Sequence, residues 1–454
     1  ISMLLASFIG GIFMYLWGRV FWGNIGGIVS SIFYTYSPYH FLDIFIRGSV
    51  GEVWALGLFP FFLWSITKFI KEKNLLFMPI ATISLALIIF SHNILAMLFF
   101  PFAFSYMLFM IYQIKKRKPV VLLSCLTVLL AFGLSSVFWL PAVFERSFVR
   151  GLYVFDISYH FAELYQLIFP SWGSGFSADQ TTEGLSLQIG IANLVVLFLS
   201  ILFTRFVKKN TNLPLHIFMI CWIVVTIFFM LPLSLVIWKT IPFMSYVQFP
   251  WRLLSLTILL CSFLAGGMVY YLKWKTAKFG LVLLAFLLGI GYAQPAYYHF
   301  RDDAYYITRS NFIDGTNSPG EAFNTIWSSG INARKENKLE IIEGRGEAEL
   351  KTSKAEVYKF NVRAQENARL RLNTMFFPGW TIFIDGRKTE LEIDSNGMML
   401  FNLTKGTHAI EAKFLDTPVR LFAAILSLIS SAIIFLFIFL PATMRKYVFQ
   451  SKLQ

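Results

Sequence analysis

The chain is short of charge. Of its 454 residues only 14% are Asp, Glu, Lys or Arg, while 57% are hydrophobic. That balance excludes an ordinary soluble domain. Cysteine is scarce as well: Cys125, Cys221 and Cys261 each sit inside an apolar run. Neither a disulfide framework nor a thiolate metal site is expected from them. The six histidines show no H-x-x-x-H or H-E-x-x-H spacing, so a structural zinc is not expected. Repeats and low-complexity tracts are missing. The net charge is +14, yet the basic residues lie in short clusters beside apolar runs. There they set orientation and touch anionic lipid heads, so no nucleic-acid partner is expected.

What the chain does have is apolar runs approaching the roughly 20 residues that a membrane span needs. Eleven spans are expected, near 2–18, 23–39, 51–67, 75–90, 94–113, 120–142, 187–204, 213–238, 252–272, 279–294 and 419–441, the fourth and tenth being short. The expected fold class is a polytopic α-helical membrane protein with a C-terminal β-sandwich module. Residues 1–294 form the helical transmembrane bundle and 295–418 an extracytoplasmic β-rich domain. Residues 419–441 form the final transmembrane helix and 442–454 a basic cytoplasmic tail.

Lysine and arginine fill every second gap between the runs. The gaps hold Lys68, Lys71 and Lys73; Lys115, Lys116, Arg117 and Lys118; Arg205, Lys208 and Lys209; Lys273, Lys275 and Lys278; then Arg445 and Lys446. Short loops rich in Lys and Arg stay cytoplasmic. The remaining gaps, with His40, Asp43, Arg47, Glu52, His92, Glu145, Arg146 and Arg252, are then external. The same count places Ile1 outside, and we expect at least one further helix and an external loop upstream of it.

Five alternating segments, 355–363, 368–376, 381–384, 398–403 and 408–415, read as antiparallel strands. Asp385-Gly386 and Lys405-Gly406 read as turns. Residues 302–340 are polar and less patterned, as in a long docking loop.

The candidate site residues gather at the external boundary. His40, Asp43 and Arg47 would share one face of an interfacial helix; the plain alternative is an i,i+4 ion pair with snorkelling anchors. Ser91-His92-Asn93 forms the tightest external loop, and either satisfies helix ends or points an imidazole and an amide into a cavity. Glu145 and Arg146 follow Pro141. Asp156, His160 and Glu163 would share another helical face, and Trp172 offers either a sugar platform or an interface anchor. Arg252 opens the ninth span, where a cation faces a carboxylate, a lipid phosphate or water. A structural origin predicts polar anchors on both membrane faces, not acids and bases paired on one.

Ser37-Pro38-Tyr39, Asp43, Arg47-Gly48, Glu52, Ser91-His92-Asn93, Leu140-Pro141-Ala142 with Glu145, and Trp172-Gly173 resemble the bacterial and archaeal membrane family called 6-pyruvoyl-tetrahydropterin synthase-related. Phe377-Pro378-Gly379-Trp380, Asp385-Gly386, Gly406-Thr407-His408 and Thr417-Pro418 are similar to an exported module of large membrane glycosylation proteins. The clustered zinc-binding histidines of the soluble pterin synthases are missing. The resemblance implies a GT-C-like glycosyltransferase bundle that uses a polyprenyl-phosphate sugar donor and an extracytoplasmic glycan or lipid acceptor. A carboxylate of the first external loop commonly serves as base in that class, and here that loop is expected upstream of Ile1. On this reading Asp43 or Glu52 aids proton removal, Arg47 and Arg252 meet the donor phosphate, and His92 orients the acceptor. His40, Asn93, Glu145, Arg146, His160 and Trp172 line the acceptor cavity. No cofactor is required by these residues, and a divalent metal ion stays an open alternative. A lipid-linked-glycan transporter and a non-catalytic membrane scaffold are the competing readings. A transporter would bury ionisable groups near mid-membrane, and the spans carry almost none.

Overall fold

The computed structural model describes residues 1–115, 117–151, 156–175, 177, 184–204, 212–242, 244–272, 274–298, 300, 302–303, 324–328, 335 and 337–441. Outside them lie Lys116, Arg205, Lys208, Lys209, Lys273, Arg445 and Lys446, the tail 442–454, and most of the loop expected over 302–340. The chain divides into two compact units. One comprises 1–135, 156–298 and 426–454, the other 136–155 and 299–425.

The first unit is helical. Its first helix, α1 (Ser2–Thr35), is a hairpin of two antiparallel legs that reverses at Gly23. Gly23 takes φ 71°, ψ −176°, a conformation that a Cβ would strain. Small residues let the legs touch: Ser31 Oγ donates to Gly11 O at 2.8 Å, and a Cβ on Gly27 would sit 2.6 Å from Tyr15 O. This is the small-residue packing of lipid-embedded helices, where close backbone approach replaces hydrophobic drive. α2 (Pro38–Phe41) and a π-turn (Leu42–Ile46) follow, then α3 (Val50–Glu72), α4 (Phe77–Ser91), α5 (Asn93–Tyr112) and α6 (Lys118–Leu134).

At 23 residues, α3 is about 34 Å long, enough to cross the roughly 30 Å hydrocarbon layer. It runs parallel to the first leg of α1. Trp54 donates to Ser2 Oγ at 2.9 Å near one end, and Lys71 lies 4.6 Å from the Phe21 ring at the other. Between them Gly57 packs against Ala6, where a Cβ would meet Ala6 O at 2.5 Å, and Tyr34 of the second leg donates to Leu56 O at 2.7 Å. Glu52 and the lysines Lys68, Lys71 and Lys73 therefore occupy opposite ends of the same helix.

α7 (Ser136–Phe144) belongs to the second unit. Back in the first are α8 (Leu164–Ile168), α9 (Ile191–Phe203), α10 (Leu213–Met230), α11 (Leu235–Thr240), α12 (Leu254–Tyr271) and α13 (Lys275–Ile290). α12 is buried along almost its whole length and forms one core with α1, α3 and α5. The last helix, α14 (Pro418–Phe439), begins in the second unit. Its later turns meet α6 in the first, where Ser427 Oγ donates to Leu134 O at 2.8 Å.

Helix occupies each of the eleven apolar runs, but length supports fewer crossings. Six described helices are long and apolar enough: α1, α3, α5, α10, Pro250–Tyr271 and α14. α6 with α7 makes a seventh if the two count as one span. α4 and α9 are short at 15 and 13 residues. The expected span 23–39 is the second leg of α1, 24–35, too short to cross alone.

Among its described residues the second unit carries nine strands: β1 (Leu339–Glu343), β2 (Gly346–Lys354), β3 (Val357–Ala364), β4 (Ala368–Met375), β5 (Trp380–Ile384), β6 (Arg387–Thr389), β7 (Glu392–Ile393), β8 (Met398–Leu403) and β9 (Gly406–Phe414). They make two antiparallel sheets, ordered β1-β4-β8-β7 and β2-β3-β9-β5-β6. Leu370, Leu372, Met399 and Phe401 of one sheet share a core with Phe360, Val362, Ile382 and Ile410 of the other. All five expected strands are present within about two residues. The Asp385-Gly386 turn joins β5 to β6 with φ 50° and 80°, the doubly positive geometry of a tight hairpin. The sequence pattern missed β1, β2, β6 and β7.

Candidate functional site

Glu52 opens α3, and the segment before it folds back over its side chain. Tyr39 comes from α2, Asp43 from the π-turn and Arg47 from the residue that ends that turn. Gly48, at φ 58°, then turns the chain into α3. A π-turn widens the helical repeat, a distortion found frequently at functional sites. Here it holds Asp43 and Arg47 together at i,i+4 while Arg47 reaches Glu52.

The Arg47 guanidinium forks both Glu52 oxygens, with Nη1 to Oε2 at 2.5 Å and Nη2 to Oε1 at 2.6 Å, and also pairs with Asp43 Oδ1. Arg252 arrives from the short helical turn Pro250–Leu253 that leads into α12. Its Nε donates to Glu52 Oε1 at 3.0 Å and its Nη1 to Val247 O at 2.8 Å. Tyr39 Oη donates to Glu52 Oε2 at 3.3 Å. His92 caps α5 by accepting from Leu95 N through Nδ1 at 3.1 Å. In the neutral ring that acceptor bond places the proton on Nε2, which faces Glu52 Oε1 at 3.5 Å. Trp251 and Phe249 supply ring faces 4.7 Å from Arg47 Cζ and 4.9 Å from Arg252 Cζ.

The burial of these groups decides their roles. Asp43 and Glu52 side chains are 0% exposed and Arg252 is 8%, whereas Arg47 is 15% and His92 18%. A ligand therefore meets Arg47 and His92 first. Glu52 already accepts from both guanidiniums and from Tyr39, so its oxygens have little capacity left to take a proton. Asp43 differs: Oδ2 is buried with no hydrogen-bond partner. Burial pushes its carboxyl up to about 8, against the pull of Arg47 and with the push of Glu52. Burial likewise lowers His92 to about 4, opposed by Glu52 and helped by Arg252 and Arg47, so the ring is neutral at pH 7.

Asp43, Arg47, Glu52, His92 and Arg252 come together as one network; the other expected residues do not join it. His40 is buried against Tyr34, ring centroids 4.5 Å apart. Burial holds it down to about 3. Because His40 and Asp43 both point inward, the expected interfacial helix with a solvated polar face is replaced by a short helix and a π-turn packed into the core. Asn93 is exposed, and its side chain accepts from the next backbone N–H. His160 bonds Ser177 Oγ at 2.8 Å and lies edge-on to Phe249. The helix expected to align Asp156, His160 and Glu163 is broken. Asp156 caps a short turn at Ile157–Tyr159, and Glu163 caps α8 in a capping box with Gln166. Trp172 Nε1 donates to Gln294 O at 3.1 Å and its ring leans on Tyr292.

Glu145 and Arg146 fall in the second unit. Glu145 accepts from Arg420 at 3.0 and 2.7 Å and from Thr417 Oγ1, and Arg146 is exposed. Arg420 also donates to Pro378 O at 3.1 Å. The Phe377–Trp380 and Thr417-Pro418 motifs thus build a joint at the start of α14. Arg420 itself was missed, since a single arginine opening a span looks like an ordinary anchor. Tyr39 was missed as a donor to Glu52 for a similar reason.

Among the described residues no three His, Cys, Asp or Glu side chains converge to hold a metal ion. In the Glu52 network the guanidiniums occupy both Glu52 oxygens and Asp43 Oδ1, which leaves Asp43 Oδ2 as one unpartnered carboxylate oxygen, too few to hold a divalent ion.

Fold and site together define a polytopic helical membrane protein with a buried carboxylate–guanidinium network at one end of its bundle and a two-sheet antiparallel β region. The family profile described as "6-pyruvoyl-tetrahydropterin synthase related domain; membrane protein" matches residues 1–297, and the chain belongs to that family. No curated protein and no solved structure matches the chain.

Proposed function

We propose that this protein is a glycosyltransferase-like membrane protein of the GT-C kind. It moves a sugar from a polyprenyl-phosphate donor to a glycan or lipid acceptor at the extracytoplasmic face. The observation that carries this reading is the Asp43–Arg47–Glu52 network at the end of α3 opposite the lysines, with Asp43 Oδ2 unpartnered. Asp43, in the deprotonated form that is a minority at pH 7 because burial lifts its carboxyl to about 8, takes the proton of the acceptor hydroxyl while that oxygen bonds to the anomeric carbon. The bond from the anomeric carbon to the phosphate oxygen breaks, and its electrons leave on the polyprenyl phosphate. Arg47, the more exposed cation, meets that charge. Glu52 and Arg252 position Arg47, and His92 presents an Nε2–H near the same edge. On this reading the Glu52 end of the bundle is extracytoplasmic, and the β region is an extracytoplasmic β-sandwich that handles the acceptor.

A second reading, a non-catalytic scaffold, draws support from the same geometry. Both guanidiniums are already bound to the Glu52 carboxylate, as in a network that only pins the segment 38–47 to α3 and α12. Full-length protein in membranes, given polyprenyl-phosphate sugars and membrane acceptors, separates the two. Arg47→Ala is expected to weaken donor binding and transfer together. Unchanged binding and transfer would remove Arg47 from the site and favour the scaffold. Sidedness is tested by a cysteine near Gly386, expected to react with an impermeant thiol reagent on intact cells.

A further inference from the structure

α10 begins at the lysine end, where Asn212 Nδ2 donates to Phe21 O at 3.1 Å, and finishes where Met230 O accepts from Ala162 N at 2.9 Å. Ala162 belongs to the segment 157–169, whose His160 ring lies edge-on to Phe249 at 4.8 Å, and Phe249 faces Arg252 Cζ. Met230 is thus at the Glu52 end. The 18 residues of α10 are about 27 Å long, close to the roughly 30 Å of a hydrocarbon layer, so Met230 stands near the membrane boundary. Beyond it the sequence stays apolar from Leu231 to Trp238, with Ser234 between. The helix does not continue with it: Leu231 is extended at ψ 151°, and Pro232 opens a new short turn.

Trp238 fixes how the chain lies after that break. It is buried, donates through Nε1 to Phe229 O at 3.0 Å and to Ser234 Oγ at 3.1 Å, and meets Phe161 edge-on. α11 is thereby held against the end of α10 with Trp238 and Ser234 inward. Leu233 and Val236 point outward, 79% and 72% exposed. The neighbouring segment behaves alike: Leu167 is buried, while Tyr159 is 70% exposed and Leu164, Tyr165 and Phe169 are exposed too. This surface continues the outward stripe of α10, where Val224 and Phe228 are exposed. α10 is long and apolar enough to cross a membrane, so that stripe faces acyl chains. Charge keeps to the edges. Asp156 Oδ1 accepts from Ser158 N at 3.0 Å, Glu163 caps α8, and Lys239 acts on Asp156 through its charge.

Aliphatic side chains on one side, tyrosines between and charges at the edge are the composition of a segment lying in a membrane interface. We propose that 157–169 and 231–241 form a collar embedded in the leaflet at the Glu52 end, with Leu164, Leu233 and Val236 below the head groups and Tyr159 and Tyr165 among them. The partner is the lipid monolayer, because the collar prolongs the lipid-facing stripe of α10 without a break. Arg47 and Arg252 then stand at head-group depth, whether or not the network transfers a sugar.

The test places one nitroxide at a time on the full chain in proteoliposomes, after Cys125→Ser and Cys221→Ser have removed the exposed thiols; Cys261 is buried and stays. Val236→Cys and Leu164→Cys report on the two segments. Val224→Cys on α10 is the acyl-chain reference, and Lys388→Cys, exposed on the β region, is the water reference. Collision with oxygen marks lipid, and collision with a water-soluble nickel chelate marks water. The expected ratio of oxygen to nickel collision at Val236 and Leu164 is nearer to that at Val224 than to that at Lys388, at a depth of about 5–10 Å. A ratio at either site near that of Lys388 would overturn the proposal, since the segment would then face water. Exclusion of both reagents would overturn it as well, since a second copy or another protein would then cover the collar. Both positions are exposed, so the labels leave the fold intact, which an unchanged melting temperature checks.

Discussion

The two ends of the bundle differ in how they bury charge. At the Glu52 end each carboxylate oxygen of Glu52 meets a guanidinium, and Tyr39 and His92 close around it. At the lysine end Trp22, Ser30, Ser200, His216 and Tyr271 bury polar atoms and no charge. Glu52 is fully partnered, so removing it strands both guanidiniums, while Asp43 Oδ2 beside it has no hydrogen-bond partner. At the lysine end the loss of one member strands no buried charge. Buried charge is thus tied to structure at one end and is missing from this cluster at the other.

The largest expected effect breaks the Glu52 end. Glu52→Gln leaves Arg47 and Arg252 buried without their shared counter-ion and is expected to destabilise by about 3–5 kcal/mol. A melting temperature in detergent equal to that of the wild type would show that the network is not what secures the segment 38–47. The middle of α3 comes next. Gly57→Ala drives a Cβ into Ala6 O, with an expected cost of roughly 1–3 kcal/mol, read in the same melting experiment.

The pH dependence sharpens the contrast, because the groups involved belong to the Glu52 end and its surroundings. Asp43 is raised to about 8 in the fold, so the folded state holds an extra proton between about 4 and 8. Asp43's contribution to stability is therefore full at low pH and is lost as pH rises through 8. His92 and His40, lowered to about 4 and about 3, act in the other sense: folding sheds their protons, so stability rises as pH climbs to about 6.5. A maximum near pH 6.5 is expected, and Asp43→Asn should abolish the decline on the alkaline side. An unchanged decline in that variant would assign it to other groups. The smallest effect is expected at the lysine end. Lys68→Ala removes a pair whose side chains are 28% and 46% exposed, which is worth no more than about 1 kcal/mol.

Much of this was legible in the order of residues, and the failures have physical causes. Runs of apolar residues and the lysines between them marked the helices, and charge type marked Glu52, Arg47 and Arg252 as one boundary. What a linear pattern does not carry is pairing. Glu52 looked like a base, and only the convergence of Arg47, Arg252 and Tyr39 shows its oxygens to be occupied. His40 and Asp43 fit one face of an ideal helix, but the π-turn turns them inward. β2, Gly346–Lys354, is mostly exposed and lies at the edge of its sheet, so it lacks the alternation that revealed β3 and β8. Trp22, Ser200, His216 and Tyr271 are far apart in sequence and carry no fixed charge. Each passes for a membrane-helix residue until the fold gathers them.

The most direct measurement is sugar transfer by Asp43→Asn in the full-length protein, from a polyprenyl-phosphate donor to a membrane acceptor. The substitution keeps the shape of the side chain and removes the base. Transfer is expected to fall by about two to four orders of magnitude while donor binding and melting temperature at pH 7 are retained. Transfer at the wild-type rate would contradict the assignment of Asp43. No transfer by the wild type with any such donor would contradict the enzymatic reading as a whole.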